Sequence, residues 1–209
     1  MLITTSRADR VILQNINWQQ FEDLLLDLGS RSGTRLAYDQ GTLEIMNPLP
    51  EHEYYKEVIG DVVKDLAEEL ELDYESLGST TWKLKTQLAG VEPDNCFYFQ
   101  NETLVRGQLN FDLDRDPPPD LVLEIDLTSK SLPRFPIYAR LKVMEIWCYE
   151  SGTLTIYLLK NGEYLKAKKS LIFPHLPIQQ IPNLIEKSRT SGRRAIRQAV
   201  RHWVRENVD

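Results

Sequence analysis

A chain of 209 residues, 42% hydrophobic and 27% charged, is long enough for one well-packed domain, and no Ser-, Gly- or Pro-rich linker divides it. Its apolar runs are far too short to span a bilayer, which excludes a membrane role, and a net charge of −6 argues against a general polyanion binder. The start, MLITTSRADRVIL, lacks the apolar core of a secretory signal, so a cytoplasmic location is expected. Cys96 and Cys148 fall in apolar strands without CxxC spacing and are expected as small core residues.

In chain order, NINWQQFEDLLLDLG from Asn15 to Gly29 places Trp18, Phe21, Leu24, Leu25 and Leu28 at helical spacing. Thr34 to Asp39 and Thr42 to Met46 flank Gln40-Gly41 and predict a hairpin. From His52 to Leu72, the residues Tyr55, Ile59, Val62, Val63, Leu66 and Leu70 mark a long helix with an acidic outer face. Strands follow near Tyr74 to Leu77, Thr80 to Thr86 and Asp94 to Gln100, then a polar stretch from Asn101 to Asp116. Pro117 to Pro119 fix the entry to another strand, and Pro133 and Pro136 delay the next helix to Arg134 or Phe135. Met144 to Tyr149, Thr153 to Lys160 and Glu163 to Lys168 complete the strands, the last two joined at Asn161-Gly162. The end of the chain from Ser188 is helical in pattern. Between Glu186 and Arg205 it carries seven basic residues against one acid, and so forms a basic tail on an acidic body. Helices alternating with strands in this order predict an α/β or α+β fold, a mixed sheet flanked by helices, as a single domain over residues 1–209 with a basic helical tail from about residue 186.

The segment PPPDLVLEIDLTSK, Pro117 to Lys130, carries the chemistry. Read as a strand, it points Asp120, Glu124 and Asp126 to one face and Leu121, Leu123, Ile125 and Leu127 to the other. A strand so apolar is expected to be central, and a carboxylate held out of water there costs several kcal/mol unless it is paired or bound to a metal. VEPDNCFYF, Val91 to Phe99, offers Asp94 at the start of a second apolar strand. Asp94 and Glu124 together could chelate a divalent ion, which would polarise a phosphodiester and acidify an attacking water. Oxygen donors without a neighbouring His or Cys favour Mg2+, or Mn2+, over zinc.

Pro93-Asp94 followed 30 positions later by Glu124-Ile125-Asp126 is similar to the PD-(D/E)xK nuclease signature, with an aspartate at the lysine position. The runs LAYDQGTLEIMNPLPEHE, GVEPDNCFYF, PPPDLVLEIDLTSKS and IYARLKVMEIWCYESGTLTIY resemble the Uma-type restriction endonuclease family within that superfamily, a domain common in photosynthetic bacteria, from about Trp18 to Pro174. The resemblance implies a restriction-endonuclease-like fold and metal-dependent hydrolysis of DNA. It makes Asp94 and Glu124 metal ligands, gives Asp126 an assisting role, and recruits a basic residue from the following helix, Lys130 or Arg134. It further implies a glutamate from an earlier element, Glu44, Glu51 or Glu53. Of these Glu53 is preferred, lying about 100° round its helix from His52, which follows the apolar stripe toward the sheet.

Simpler readings stand beside these. Glu124 could be a buried acid paired with Arg134 or Arg140, Asp120 a strand-entry residue, Asp126 a turn former and His52 a core-edge histidine. The basic tail has the composition of either a solvated helix face or a DNA contact, and the strands after Met144 could supply a homodimer edge. Two further classes compete with the endonuclease: a catalytically impaired nucleic-acid-binding protein that keeps the fold, and an interaction module whose acids are only salt-bridged. The target sequence is not encoded in any separate recognition domain.

Overall fold

Residues 10–28, 33–125 and 132–208 are described by a computed structural model. Asp126 and Lys130 therefore lie outside the described residues. The chain opens with strand β1 (Arg10–Leu13) and helix α1 (Trp18–Leu28). The helix starts after Asn17 rather than at Asn15 because a reciprocal cap forms there. The Asn17 Oδ1 accepts the Gln20 N–H at 3.0 Å, and the Gln20 Oε1 accepts the Asn17 N–H at 2.8 Å. The hairpin β2 (Arg35–Asp39) and β3 (Thr42–Met46) turns through Gln40 and Gly41, both at positive φ. Helix α2 (Pro50–Glu69) begins two residues earlier than the apolar pattern suggests, with Pro50 in its first turn.

Then come β4 (Glu75–Ser76), β5 (Trp82–Leu84), β6 (Ala89–Val91) and β7 (Asn95–Tyr98). The polar stretch contains a single helical turn, α3 (Glu102–Val105). Strand β8 (Leu121–Ile125), helix α4 (Arg134–Arg140) and strand β9 (Glu145–Glu150) form a parallel β-α-β unit. Strands β10 (Thr153–Lys160) and β11 (Glu163–Ala167) close the sheet across the Asn161-Gly162 turn. The carboxyl end is two helices, α5 (Ile181–Ser188) and α6 (Arg193–Asn207), parted at Gly192, whose φ of +88° ends helical geometry.

The strands divide between two sheets, where the sequence pattern suggests one. The first is antiparallel, in the order β1-β3-β2-β6-β5. The second is mixed, in the order β11-β10-β9-β8-β7-β4. The division follows from Pro93. Glu92 still donates its backbone N–H to the Leu36 carbonyl at 2.9 Å, but Pro93 has no N–H to give, so the first ladder ends and Asp94 emerges at the junction. Strands β1 and β6 escape pattern analysis because RVIL and AGV are too short to show a period.

The acidic strand β8 is interior to its sheet and all five residues are buried, as its composition requires. Its leucines and Ile125 face a core built with α2, α5 and α6, whereas Val122 faces a second core made by α4 and the first sheet. A third cluster packs Trp18 and Phe21 of α1 on Leu36, Tyr38 and Leu43. Close approach is built in: a Cβ on Gly90 would sit 2.7 Å from the Phe21 ring, and one on Gly60 would sit 2.7 Å from the Asn95 amide.

The basic helix α6 lies along the acidic face of α2. Arg193 meets Asp61 at 3.0 Å, Arg197 and Arg201 both meet Asp65 at 2.8 Å, and Arg205 clasps Glu69 at 2.7 and 3.0 Å. The charge excess that stands out in sequence is in large part neutralised inside the protein, while Ile196, Val200, Trp203 and Val204 enter the core.

Candidate active site

The two sheets and the start of α2 meet at Asp94, and α4 reaches its neighbour Glu124 through Tyr138. Continuing the β7–β8 register by one residue sets Asp94 across from Glu124. Both are buried, and Asp94 is fixed by the Ile125 backbone N–H, which donates to its Oδ2 at 2.7 Å. The His52 Nε2 stands 3.2 Å from the same oxygen, and the Arg35 Nε lies 3.8 Å from Oδ1. His52 thus faces the sheet, as the stripe on its helix predicts, and touches the acid that sequence spacing singles out.

Glu124 accepts a short hydrogen bond from the Tyr138 hydroxyl. Burial, and then the adjacent Glu124 charge, push the Tyr138 phenol well above its ordinary pKa; Asp94 adds to the effect and Arg134 opposes it. The phenol therefore stays protonated and serves as a permanent donor. Tyr138 reads as an apolar core position in sequence. The available signal is its spacing, four residues after Arg134 on the same helical face.

Arg134 is buried and gives its Nη2 to the Glu44 Oε1 at 2.6 Å. Its Nε and Nη1 are also buried and have no hydrogen-bond partner among the described residues. Glu44, fully buried, additionally receives the Leu132 backbone N–H at 3.0 Å and has Arg10 Nε at 3.6 Å. Glu44 stands opposite Ala37 in the hairpin, and Ala37 faces the second core, so this parity points inward under α4. In sequence it looks like a solvent-facing alternation.

Glu53, the preferred upstream acid, sits at the rim with a side chain 38% exposed. It meets Arg35 Nη2 at 3.4 Å and Lys56 Nζ at 3.0 Å, and its Oε1 lies 3.7 Å from His52 Nδ1. Glu51 is exposed on the first turn of α2. The structure thus gathers Asp94, Glu124, Arg134 and Glu44 in the interior, with Glu53 reaching them through Arg35 and His52. Arg35 is the member that sequence analysis does not anticipate.

Asp120, Asp39 and Glu145 are held in structural contacts. Asp120 receives the Phe99 and Asn101 backbone N–H groups at 2.8 and 3.0 Å, consistent with a strand-entry role, and Arg140 pairs with Asp39. Glu145 takes the Trp147 and Leu171 N–H groups at 2.6 Å, and burial holds its carboxyl above the usual range. Cys96 and Cys148 are free and buried, and burial drives the Cys96 thiol up to about 12. Among the described residues no helix is long and apolar enough to cross a membrane, and no three His, Cys, Asp or Glu side chains converge as a metal cage.

No curated protein matches the chain in sequence. Among solved structures, a crystallised "putative nuclease belonging to DUF820" from Anabaena variabilis ATCC 29413 matches at 13% identity over 87% of this chain and 97% of that chain, with a TM-score of 0.46. Residues 18–185 match the family Uma2, "Putative restriction endonuclease", a span that holds every member of the interior cluster. The chain belongs to the Uma2 family.

Proposed function

We propose that this protein is a Mg2+- or Mn2+-dependent DNA endonuclease acting at Asp94, Glu124 and Arg134. The observation that carries this is the facing pair of buried carboxylates, Asp94 and Glu124, beside a buried guanidinium with unengaged N–H groups.

The residues present fit a hard divalent ion. Asp94 and Glu124 offer two carboxylates rather than a closed cage, with the His52 imidazole beside Asp94, and magnesium characteristically takes one or two carboxylates and keeps several waters. Asp94 and Glu124 would hold it. Bound there, the ion would supply Lewis-acid polarisation of the phosphodiester and a more acidic water.

The chain does the rest. The Ile125 N–H holds one Asp94 oxygen, and the Tyr138 hydroxyl holds one Glu124 oxygen, so neither carboxylate must reorient during reaction. Glu44 fixes one edge of Arg134 and leaves Nε and Nη1 to meet phosphate oxygens as charge builds on them. Arginine stays protonated, so Arg134 stabilises charge but does not take the proton of the attacking water.

The test is nicking of supercoiled plasmid with magnesium or manganese. We expect cleavage by the wild type, loss in EDTA, and a fall of at least about a hundredfold in Glu124→Ala. A thermal shift with manganese in the wild type, absent from Glu124→Ala, reports the metal site independently. DNA binding without cleavage would replace this reading with an impaired binding protein, and a failure of both would leave the acids structural.

A further inference from the structure

A cleft of about 530 Å3 opens beside the interior cluster between α1, β2 and the Ser79–Lys83 segment. A smaller one of about 390 Å3 lies by Asn47, Pro48 and Glu53. Arg35 lines both. Its guanidinium lies 3.8 Å from Asp94 and 3.4 Å from Glu53, and its Nε is buried without a hydrogen-bond partner among the described residues. A cation so placed, lining both clefts beside Asp94, suits an anion running from one cleft to the other.

The larger cleft has two chemically different sides. Leu25 and Leu28 supply apolar surface of the kind that packs on a base face, while Thr80, Thr81 and Glu92 supply polar edges. Glu92 is held rigidly: Thr81 Oγ1 donates to its Oε1 at 2.7 Å and the Leu36 N–H to its Oε2 at 3.0 Å. Each carboxylate oxygen retains a second lone pair, so Glu92 in its ionised form accepts from a ligand and does not donate. Burial pushes the Glu92 carboxyl above its ordinary value, and the Thr81 and Leu36 hydrogen bonds oppose that. Arg35, which lines the cleft and lies 3.8 Å from Asp94, links it to the interior cluster.

From this geometry we infer that the cleft binds one unpaired nucleotide flanking the scissile phosphate, with Glu92 as a specificity-determining acceptor that favours cytosine over thymine. The inference rests on the nuclease reading. The volume lies within the range of about 300–1,000 Å3 typical of small-molecule sites, which admits a nucleotide but not a duplex. Cytosine presents an N4 amino donor where thymine presents an O4 acceptor, and an acceptor-only carboxylate distinguishes the two. Access requires a single strand or an extruded base.

The experiment is fluorescence anisotropy with phosphorothioate-linked oligo(dC) and oligo(dT) of about 8 nucleotides, in magnesium and in EDTA. Wild-type protein is expected to bind oligo(dC) roughly fivefold or more tightly than oligo(dT). Glu92→Gln, whose amide can donate to O4, should erase or reverse that preference. Ser79→Trp, which fills the cleft from its rim, should weaken both, and it carries the test if Glu92→Gln melts early. Equal wild-type affinities, or a preference unchanged in both variants, overturns the inference. Equal affinities together with plasmid nicking would sink the cleft assignment and leave the nuclease standing. A dC preference without nicking would do the reverse.

Discussion

The Tyr138 hydroxyl fixes Glu124, and its high pKa keeps the proton there across the working pH range. If Glu124 holds a metal as proposed, a buried donor to it acts through that ligand, and Tyr138 would be a positioning residue rather than one that touches substrate. Removing the hydroxyl in Tyr138→Phe keeps the ring in the core and frees one Glu124 oxygen. Outer-shell losses of this kind cost roughly 10–100-fold in activity or metal affinity. We expect kcat for plasmid nicking to fall in that range with KM little changed, and the manganese concentration at half-maximal rate to rise. Equal kinetics in Tyr138→Phe would show that Glu124 needs no such support.

Between elements, the contact of α6 with α2 combines an apolar stripe with a ladder of ion pairs. Four buried side chains, at roughly 1.5–3 kcal/mol each, outweigh pairs worth about 0.2–1 kcal/mol each where the arginines stay solvated. Arg197 and Arg201 remain 41% and 40% exposed, so apolar packing provides the affinity and the ladder fixes the register. The ladder nevertheless responds to acid. Hydrogen bonds from Arg205 hold the Glu69 carboxyl below its ordinary 4.5. Because the folded value is depressed, this contribution is fully present above pH 4.5 and is lost as pH falls through the lower, folded value. Amide exchange in α6, corrected for intrinsic rate, should accelerate below about pH 4.5 in the wild type, and Glu69→Gln should flatten that response. An identical acid response in both proteins would rule the ladder out as its cause.

Across the whole molecule, the interior cluster also ties the halves together. Glu44 belongs to the first sheet, whereas its partners Arg134 and the Leu132 N–H belong to the segment that covers the second. Both side chains of this pair are buried, so loss of the acid strands a guanidinium out of water. Breaking such a pair from one side costs about 3–5 kcal/mol. Glu44→Ala should lower unfolding free energy by that amount in urea, with a single transition if the sheets unfold together. A change within about 0.5 kcal/mol would mean that water or a neighbouring group replaces the carboxylate.

Sequence alone determined what depends on local periodicity and on the cost of burying charge. The helix stripes, the Gln40-Gly41 and Asn161-Gly162 turns, and the interior position of the strand bearing Glu124 follow from side-chain spacing and backbone preference. A carboxylate flanked by Leu and Ile had to find a partner inside the protein, which is why Glu124 stood out before any fold was known. Tertiary structure decided everything that depends on which distant segments meet. The Pro93 break split the strands between two sheets, inward parity took Glu44 to Arg134, and Arg35 reached Asp94 across a junction 59 residues away in the chain. The basic tail was legible as charge, but its destination was not, because only packing against α2 set its arginines against Asp61, Asp65 and Glu69. Periodicity reports which face of an element is buried; what lies against that face is set by the fold.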